Sequence, residues 1–376
     1  MRYYLIAGEA SGDLHGSNLV RGLRAEDPSA QLRGRGGDLM QAAGMELAHH
    51  YREGAVMGFG EVLGKAGKLL RSLRDCKADI AAWRPDVVIL IDYPGFNMKI
   101  AKWCHARGIR VFYYIAPKTW ASRERRNRRL KVWVDRLFII FPFEEAYFRQ
   151  KGVPFTYVGN PLIDAVDAHR FERPVEGRYV ALLAGSRKGE IQRMMPVLME
   201  AADLLSALPG WEDMRFVVAG APARSEADYR PFLAGRGNVD LLFGRTYDIL
   251  RYADAAVINS GTASLEAVLI GTPQVVGWNT SAVAAWVARH ILHVLDHVKF
   301  ISLGNLCLGR PAFRELIQEE LTPAAVADEV RRLVEDAPYR ERMLADYAEI
   351  RRLLGGAGAS RAVARAMIEA LGEPSR

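Results

Sequence analysis

The sequence predicts an α/β protein built from two Rossmann-like domains that face a cleft. Three observations carry that prediction. Short, near-continuous runs of Val, Ile and Leu alternate with amphipathic stretches along most of the chain, as expected of parallel strands covered on both faces by helices. The rhythm loosens once, between 161 and 177, where "AVDAHRFERPVEGR" is polar and poor in apolar periodicity. The length, 376 residues, also exceeds the roughly 250–300 at which a single core stops growing.

In chain order, the first set of strand candidates is 3–7, 86–92, 110–115, 136–141 and 155–158. The second is 179–184, 215–219, 239–243, 255–258 and 274–277. Helical patterns at 99–107, 144–150 and 191–208 separate some of them, and 338–371 reads as helices alone. The first domain is expected to span 1–165 and the second 175–344, with 345–376 returning to the first as helices.

Half of the residues are hydrophobic, a quarter are charged, and the net charge is +7. That balance suits a folded globular chain with an anionic partner: a nucleotide, a lipid surface or a nucleic acid. Cys76, Cys104 and Cys307 are scattered and form neither a metal-binding pair nor a disulfide framework, which favours a reducing cytoplasm. The opening "MRYYLIAGEASGD" lacks the apolar core of a signal peptide. No run approaches the ~18 apolar residues of a membrane span. A soluble protein that can lie on a membrane is expected.

Candidate sites follow the strands. After 255–258, the small residues Ser260, Gly261, Thr262 and Ala263 allow close backbone approach, and the helix behind them aims its amides at an anion. Glu266 lies one turn further on the same face. It is either a ribose-diol acceptor or the partner of a basic residue. Ser186 and Arg187 follow strand 179–184, where a guanidinium is free to fork onto phosphate or stay solvated. Asp92 ends a wholly apolar strand, as a general base raised by burial or as the holder of a turn, with Asn97 as helix cap. Around "AGEASGDLHG" the glycine spacing departs from the dinucleotide pattern, and Asp13 by itself reads as a helix cap. In 62–73, Val62, Leu69, Leu70 and Leu73 share one arc with the other apolar residues, opposite Lys65, Lys68, Arg71 and Arg74. This is the pattern of an interfacial helix and equally of a core-facing one. The basic run 123–131 suits nucleic acid, lipid headgroups or a phosphorylated substrate.

Taken in order, "GEASGD" (8–13), "VMGFGEVL" (56–63), "DYPGFN" (92–97), "GSR" (185–187), "SGTASLE" (260–266) and "SLGNLCLGR" (302–310) resemble the lipid-A-disaccharide synthases, over essentially the whole chain. The resemblance implies a GT-B fold whose last helix, 355–371, crosses back to the first domain. It implies inverting transfer of 2,3-diacylglucosamine from UDP-2,3-diacylglucosamine to 2,3-diacylglucosamine 1-phosphate, with release of UDP and without metal or other cofactor. Asp92 matches the essential aspartate and becomes the base. Arg187 and the Gly261–Ala263 turn face the departing diphosphate, and Ser186 and Ser260 join them in binding the UDP donor. Glu266 and Asn305 hold the ribose and nearby donor groups, and Glu9, Ser11, Gly12 and Asp13 line the acceptor side.

Acylated substrates imply a cytoplasmic enzyme docked peripherally on the anionic inner membrane through Val62, Lys65, Lys68, Leu69, Leu70, Arg71 and Leu73. The run 123–131 is left to membrane or acceptor phosphate, with no nucleic-acid partner. The chain departs from the family pattern at Ala184, Asn160 and Gly304. A UDP-N-acetylglucosamine 2-epimerase is the rival of like architecture, and a nucleic-acid-binding protein the rival of another class.

Overall fold

The structure is a computed structural model that describes residues 1–55, 62–120, 124–280 and 299–373, with backbone alone at 54–55 and 62–66. It divides into two compact units, Met1–Asp164 with Gly355–Arg376, and Ala165–Leu354.

The first unit runs β1 (Arg2–Ile6), α1 (Ala10–Glu26), β2 (Gln31–Gly36), α2 (Asp38–Ala42), β3 (Glu46–His50), α3 (Tyr51–Ala55), α4 (Val62–Trp83) and β4 (Val87–Ile91). It continues through α5 (Pro94–His105), β5 (Val111–Tyr114), α6 (Arg126–Trp133), β6 (Arg136–Ile139), α7 (Pro142–Gln150) and β7 (Thr156–Tyr157), and α8 (Pro161–Asp167) spans its boundary. The seven strands are parallel, in the order β3-β2-β1-β4-β5-β6-β7. Strand β4 reads VVILI because it is buried at every position, as a central strand with both faces covered must be.

Strands β2 and β3 escape the apolar pattern. In "QLRGRG", Arg33 pairs with Asp79 at 2.8 Å. The buried Arg35 donates to the Ser72 hydroxyl at 2.7 Å and lies over the Phe96 ring. Specific partners, rather than aliphatic surface, cover these side chains. Strand β3 is the edge strand and is only partly buried.

The second unit runs β8 (Tyr179–Leu183), α9 (Lys188–Ser206), β9 (Arg215–Gly220), α10 (Arg230–Leu233), β10 (Val239–Phe243), α11 (Thr246–Tyr252), β11 (Ala255–Asn259), α12 (Thr262–Ile270) and β12 (Gln274–Trp278). Beyond them are the described elements α13 (Leu303–Leu308), β13 (Glu315–Ile317), α14 (Pro323–Glu335) and α15 (Ala337–Leu353). Six parallel strands are ordered β10-β9-β8-β11-β12-β13. Strand β13, three residues long, carries no periodic signal.

The last helix, α16 (Ala359–Leu371), belongs to the first unit and packs on α1. The return begins at Gly355 rather than at 345, because α15 buries Met343, Tyr347 and Ile350 within the second unit. Asp164 accepts the N–H groups of Gly358 at 2.5 Å and Ser360 at 2.8 Å, capping α16 from outside. Arg110 closes the other end through the carbonyls of Ala370, Leu371 and Glu373.

Helix α4 corrects one docking residue. Leu73 is only 4% exposed and lies in the core with Cys76 and Ile80, while Leu69 is half-buried against that core. Leu70 is 64% exposed, beside exposed Lys68 and Arg71. Of the arc's described side chains, Leu69 and Leu73 thus belong to the core-facing stripe of an amphipathic helix and Leu70 does not. The side chains of Val62 and Lys65 lie outside the described ones.

Candidate active site

Each sheet reverses its winding direction once, between β1 and β4 in the first unit and between β8 and β11 in the second. Loops that leave the carboxyl ends of such strands diverge and open a crevice.

In the first unit Ile6 pairs with Leu90, so the loops carrying Gly8–Asp13 and Asp92–Asn97 leave the sheet side by side. A Cβ on Gly8 would collide with the Tyr93 ring. Asp92 and Tyr93 both adopt left-handed backbone, with φ of +45° and +47°, which costs roughly 1–2 kcal/mol per non-glycine residue. Their surroundings hold them there. The Asp92 carbonyl accepts Asn97 Nδ2 at 2.8 Å and the Tyr113 hydroxyl at 2.6 Å. Asn97 therefore pins the turn from inside α5 and is not its cap; Tyr93 occupies the cap position. The half-buried Asp92 carboxylate has its pKa raised by burial and by the Glu9 carboxylate, against the pull of Lys118.

Glu9 is exposed and Ser11 half-buried beside this carboxylate's loop. Asp13 is committed elsewhere. It accepts the N–H groups of Gly37 (2.8 Å), Leu39 (3.1 Å) and Met40 (3.1 Å), at the start of α2. Three amides hold that buried carboxylate, so Asp13 caps a neighbouring helix. Gly12 is buried against Ala7, where a Cβ would approach to 3.3 Å, and its place is likewise one of packing.

In the second unit Leu183 pairs with Ile258, which brings the loop after β8 against that after β11. Gly185 has φ of +104°, and a Cβ there would lie 2.6 Å from Glu190 Oε2 and 2.7 Å from Asn259 Nδ2; only glycine suits both demands. Buried Asn259 leaves its Oδ1 without a hydrogen-bond partner among the described residues.

The two helix starts differ. Glu190, in the first turn of α9, accepts the N–H groups of Ser186 at 3.0 Å and Arg187 at 3.2 Å, the two amides just ahead of the helix. The Arg187 guanidinium lies 3.2 Å from Glu190, and the side chain is 69% exposed. Helix α12 has no acidic residue in its first turn, and Gly261 is exposed there with Thr262 and Ala263 half-buried. Ser260 ties this turn to its surroundings, its N–H to the Gly277 carbonyl at 2.8 Å and its hydroxyl to that of Ile301 at 3.3 Å.

Glu266 is half-buried one turn into α12. Its Oε1 accepts the Tyr247 hydroxyl at 3.1 Å. Burial raises its pKa to about 7 and the tyrosine hydrogen bond opposes that rise. Asn305 is fully buried, and its amide is consumed by the protein. Nδ2 donates to the Phe313 carbonyl (3.0 Å) and Glu315 (2.9 Å), and Oδ1 accepts the Ala312 N–H (2.8 Å). It braces the loop behind Ser260 and is not a donor ligand. Asn160 clamps Ile140 to the start of α8. Of the residues that sequence reasoning missed, Glu190 had a readable signal as the Glu of a capping box; Tyr247 and Asn259 had none.

A family model described as lipid-A-disaccharide synthetase matches residues 3–365. The chain is 40% identical to the lipid-A-disaccharide synthase of Myxococcus xanthus, across 98% of this chain and 97% of that one. It is 38% identical to that of Geobacter metallireducens, across 99% and 98%. Among solved structures, the UDP-GlcNAc 2-epimerase of Neisseria meningitidis bound to UDP-GlcNAc aligns with a TM-score of 0.67 at 14% identity, covering 98% of this chain and 100% of that one. That last likeness speaks for the two-domain fold alone. With matches of such length and identity, the chain belongs to the lipid-A-disaccharide synthase family.

Proposed function

We propose that this chain transfers 2,3-diacylglucosamine from UDP-2,3-diacylglucosamine to 2,3-diacylglucosamine 1-phosphate, releasing lipid A disaccharide 1-phosphate and UDP. The observation that carries the reading is a family match running from residue 3 to 365, long enough to include the loops at both switch points. On this reading Asp92 takes the proton of the acceptor 6-hydroxyl as that oxygen bonds to the anomeric carbon. The bond from that carbon to the diphosphate oxygen breaks on the opposite side, so the configuration inverts. A carboxylate lifted by burial is a better base than an ordinary one, and the turn that holds Asp92 fixes its position.

Charge grows on the departing diphosphate. The open first-turn amides of α12 and the exposed Arg187 guanidinium are suited to receive it. Glu266 then accepts the ribose hydroxyls. Glu9 and Ser11 belong to the acceptor side. The displacement calls on no metal or other cofactor.

Both substrates carry acyl chains, and no described helix is long and apolar enough to cross a membrane. We place the protein on the cytoplasmic face of the inner membrane, with exposed Leu70 entering anionic lipid between Lys68 and Arg71. Exposed Arg128, Arg129 and Lys131 on α6 supply a second basic contact. The test of the reaction is UDP release from UDP-2,3-diacylglucosamine, with and without 2,3-diacylglucosamine 1-phosphate. Acceptor-dependent release with disaccharide formation is expected. No release, or an epimerised sugar instead of a disaccharide, overturns the reading.

A further inference from the structure

From the hydrogen bond between α11 and α12 we infer that Tyr247 is a positioning residue for donor binding, which holds one oxygen of Glu266 so that the other faces the ribose diol. The inference rests on the reading of Glu266 given above.

The geometry is specific. The Tyr247 hydroxyl donates to Glu266 Oε1 at 3.1 Å, whereas Oε2 has no hydrogen-bond partner among the described residues and Glu266 is half-exposed. A carboxylate pinned through one oxygen loses rotational freedom before the ligand arrives, which reduces the entropic cost of binding.

Tyr247 is itself fixed. His169 meets its ring edge-on, with centroids 5.2 Å apart, and His169 Nε2 is 2.9 Å from Asp248. Buried Asp248 also accepts the Glu172 N–H at 3.0 Å and Arg245 Nε at 2.5 Å. The chain thus builds a support of His169, Asp248 and Arg245 behind one tyrosine, all within the second unit.

The hydroxyl also has an electrostatic effect. Diol hydroxyls donate to a carboxylate far better than to a carboxylic acid, so donor binding favours ionised Glu266. Burial raises the Glu266 pKa to about 7, and Tyr247 is the titratable side chain that acts on it. Affinity for a UDP-sugar should therefore rise with pH through neutrality and level off above it. Removing the hydroxyl moves that rise upward.

The experiment measures the affinity of UDP-2,3-diacylglucosamine in detergent micelles from pH 5.5 to 8.5 for wild type, Tyr247→Phe and Glu266→Gln. Its diphosphate diester does not titrate in this range. Tyr247→Phe keeps the ring packing. It should bind roughly tenfold more weakly at pH 7.5, with the pH midpoint raised by about one unit. The Glu266 carboxyl of ligand-free protein, followed by carbon-13 NMR, should titrate higher by the same amount. A Tyr247→Phe profile that superposes on wild type, while Glu266→Gln binds weakly without pH dependence, overturns the role of Tyr247 alone. Unchanged affinity in Glu266→Gln overturns the ribose reading itself.

Discussion

Asp92 and Glu144 are carboxyl groups of the same unit whose pKa burial raises in both cases and which the fold places differently. Asp92 is half-buried, strained and placed at the switch point, where a proton acceptor has an exit to substrate. Asp92→Asn keeps shape and volume while removing basicity. Turnover should fall by at least about a hundredfold with an unchanged melting temperature, measured as UDP release and thermal unfolding. Glu144 is 2% exposed at the start of α7, and burial raises its pKa to about 8 against the amide of Phe141. A folded-state pKa above the unfolded one means that the native state binds the extra proton. Its contribution to stability is therefore full near pH 4 and lost as pH rises through about 8. Glu144→Gln should gain stability relative to wild type between pH 5.5 and 8, by about 3 kcal/mol, read from urea midpoints at the two pH values. Glu266 contributes a smaller loss of the same sign, complete near pH 7.

At the scale of elements, α4 separates two roles that its sequence pattern merges. Its stripe of leucines serves the core at Leu73 and solvent at Leu70, three residues away. Leu70→Glu should leave the fold intact and reduce partition onto anionic vesicles by about tenfold, measured by sedimentation. Equal sedimentation would remove α4 as the docking element. Leu73→Glu tests nothing of docking, because an unpaired carboxylate in that core opposes folding first. Helices α9 and α12 make a similar contrast. Both start at the carboxyl ends of adjacent strands, but Glu190 sits in the first turn of α9 and takes the two amides ahead of that helix, whereas α12 has no acidic residue in its first turn. The Glu190 carboxylate disfavours an anion at the start of α9, which leaves the α12 turn as the better of the two anion sites read from the sequence.

For the whole molecule, α16 makes the first unit discontinuous in sequence. Asp164 caps it across a separation of nearly two hundred residues. Asp164→Ala should cost about 1 kcal/mol and expose the segment near Gly355 to protease sooner than in wild type, with melting and limited digestion as the readouts. Local pattern determined much of this architecture: apolar runs mark most strands, their spacing implies parallel crossovers, and the loops after β1, β4, β8 and β11 carry four of the six motifs. These are short-range properties, because burial on both faces leaves a continuous apolar record in each strand. What only the tertiary structure decided is where each motif residue spends its polar atoms. Asp13 turns away to cap α2, Asn305 is consumed by its own loop, and Leu73 goes inward. Tyr247 reaches Glu266 from another helix. Such partners are chosen by hydrogen-bond geometry between segments remote in sequence, and no periodicity along the chain records them.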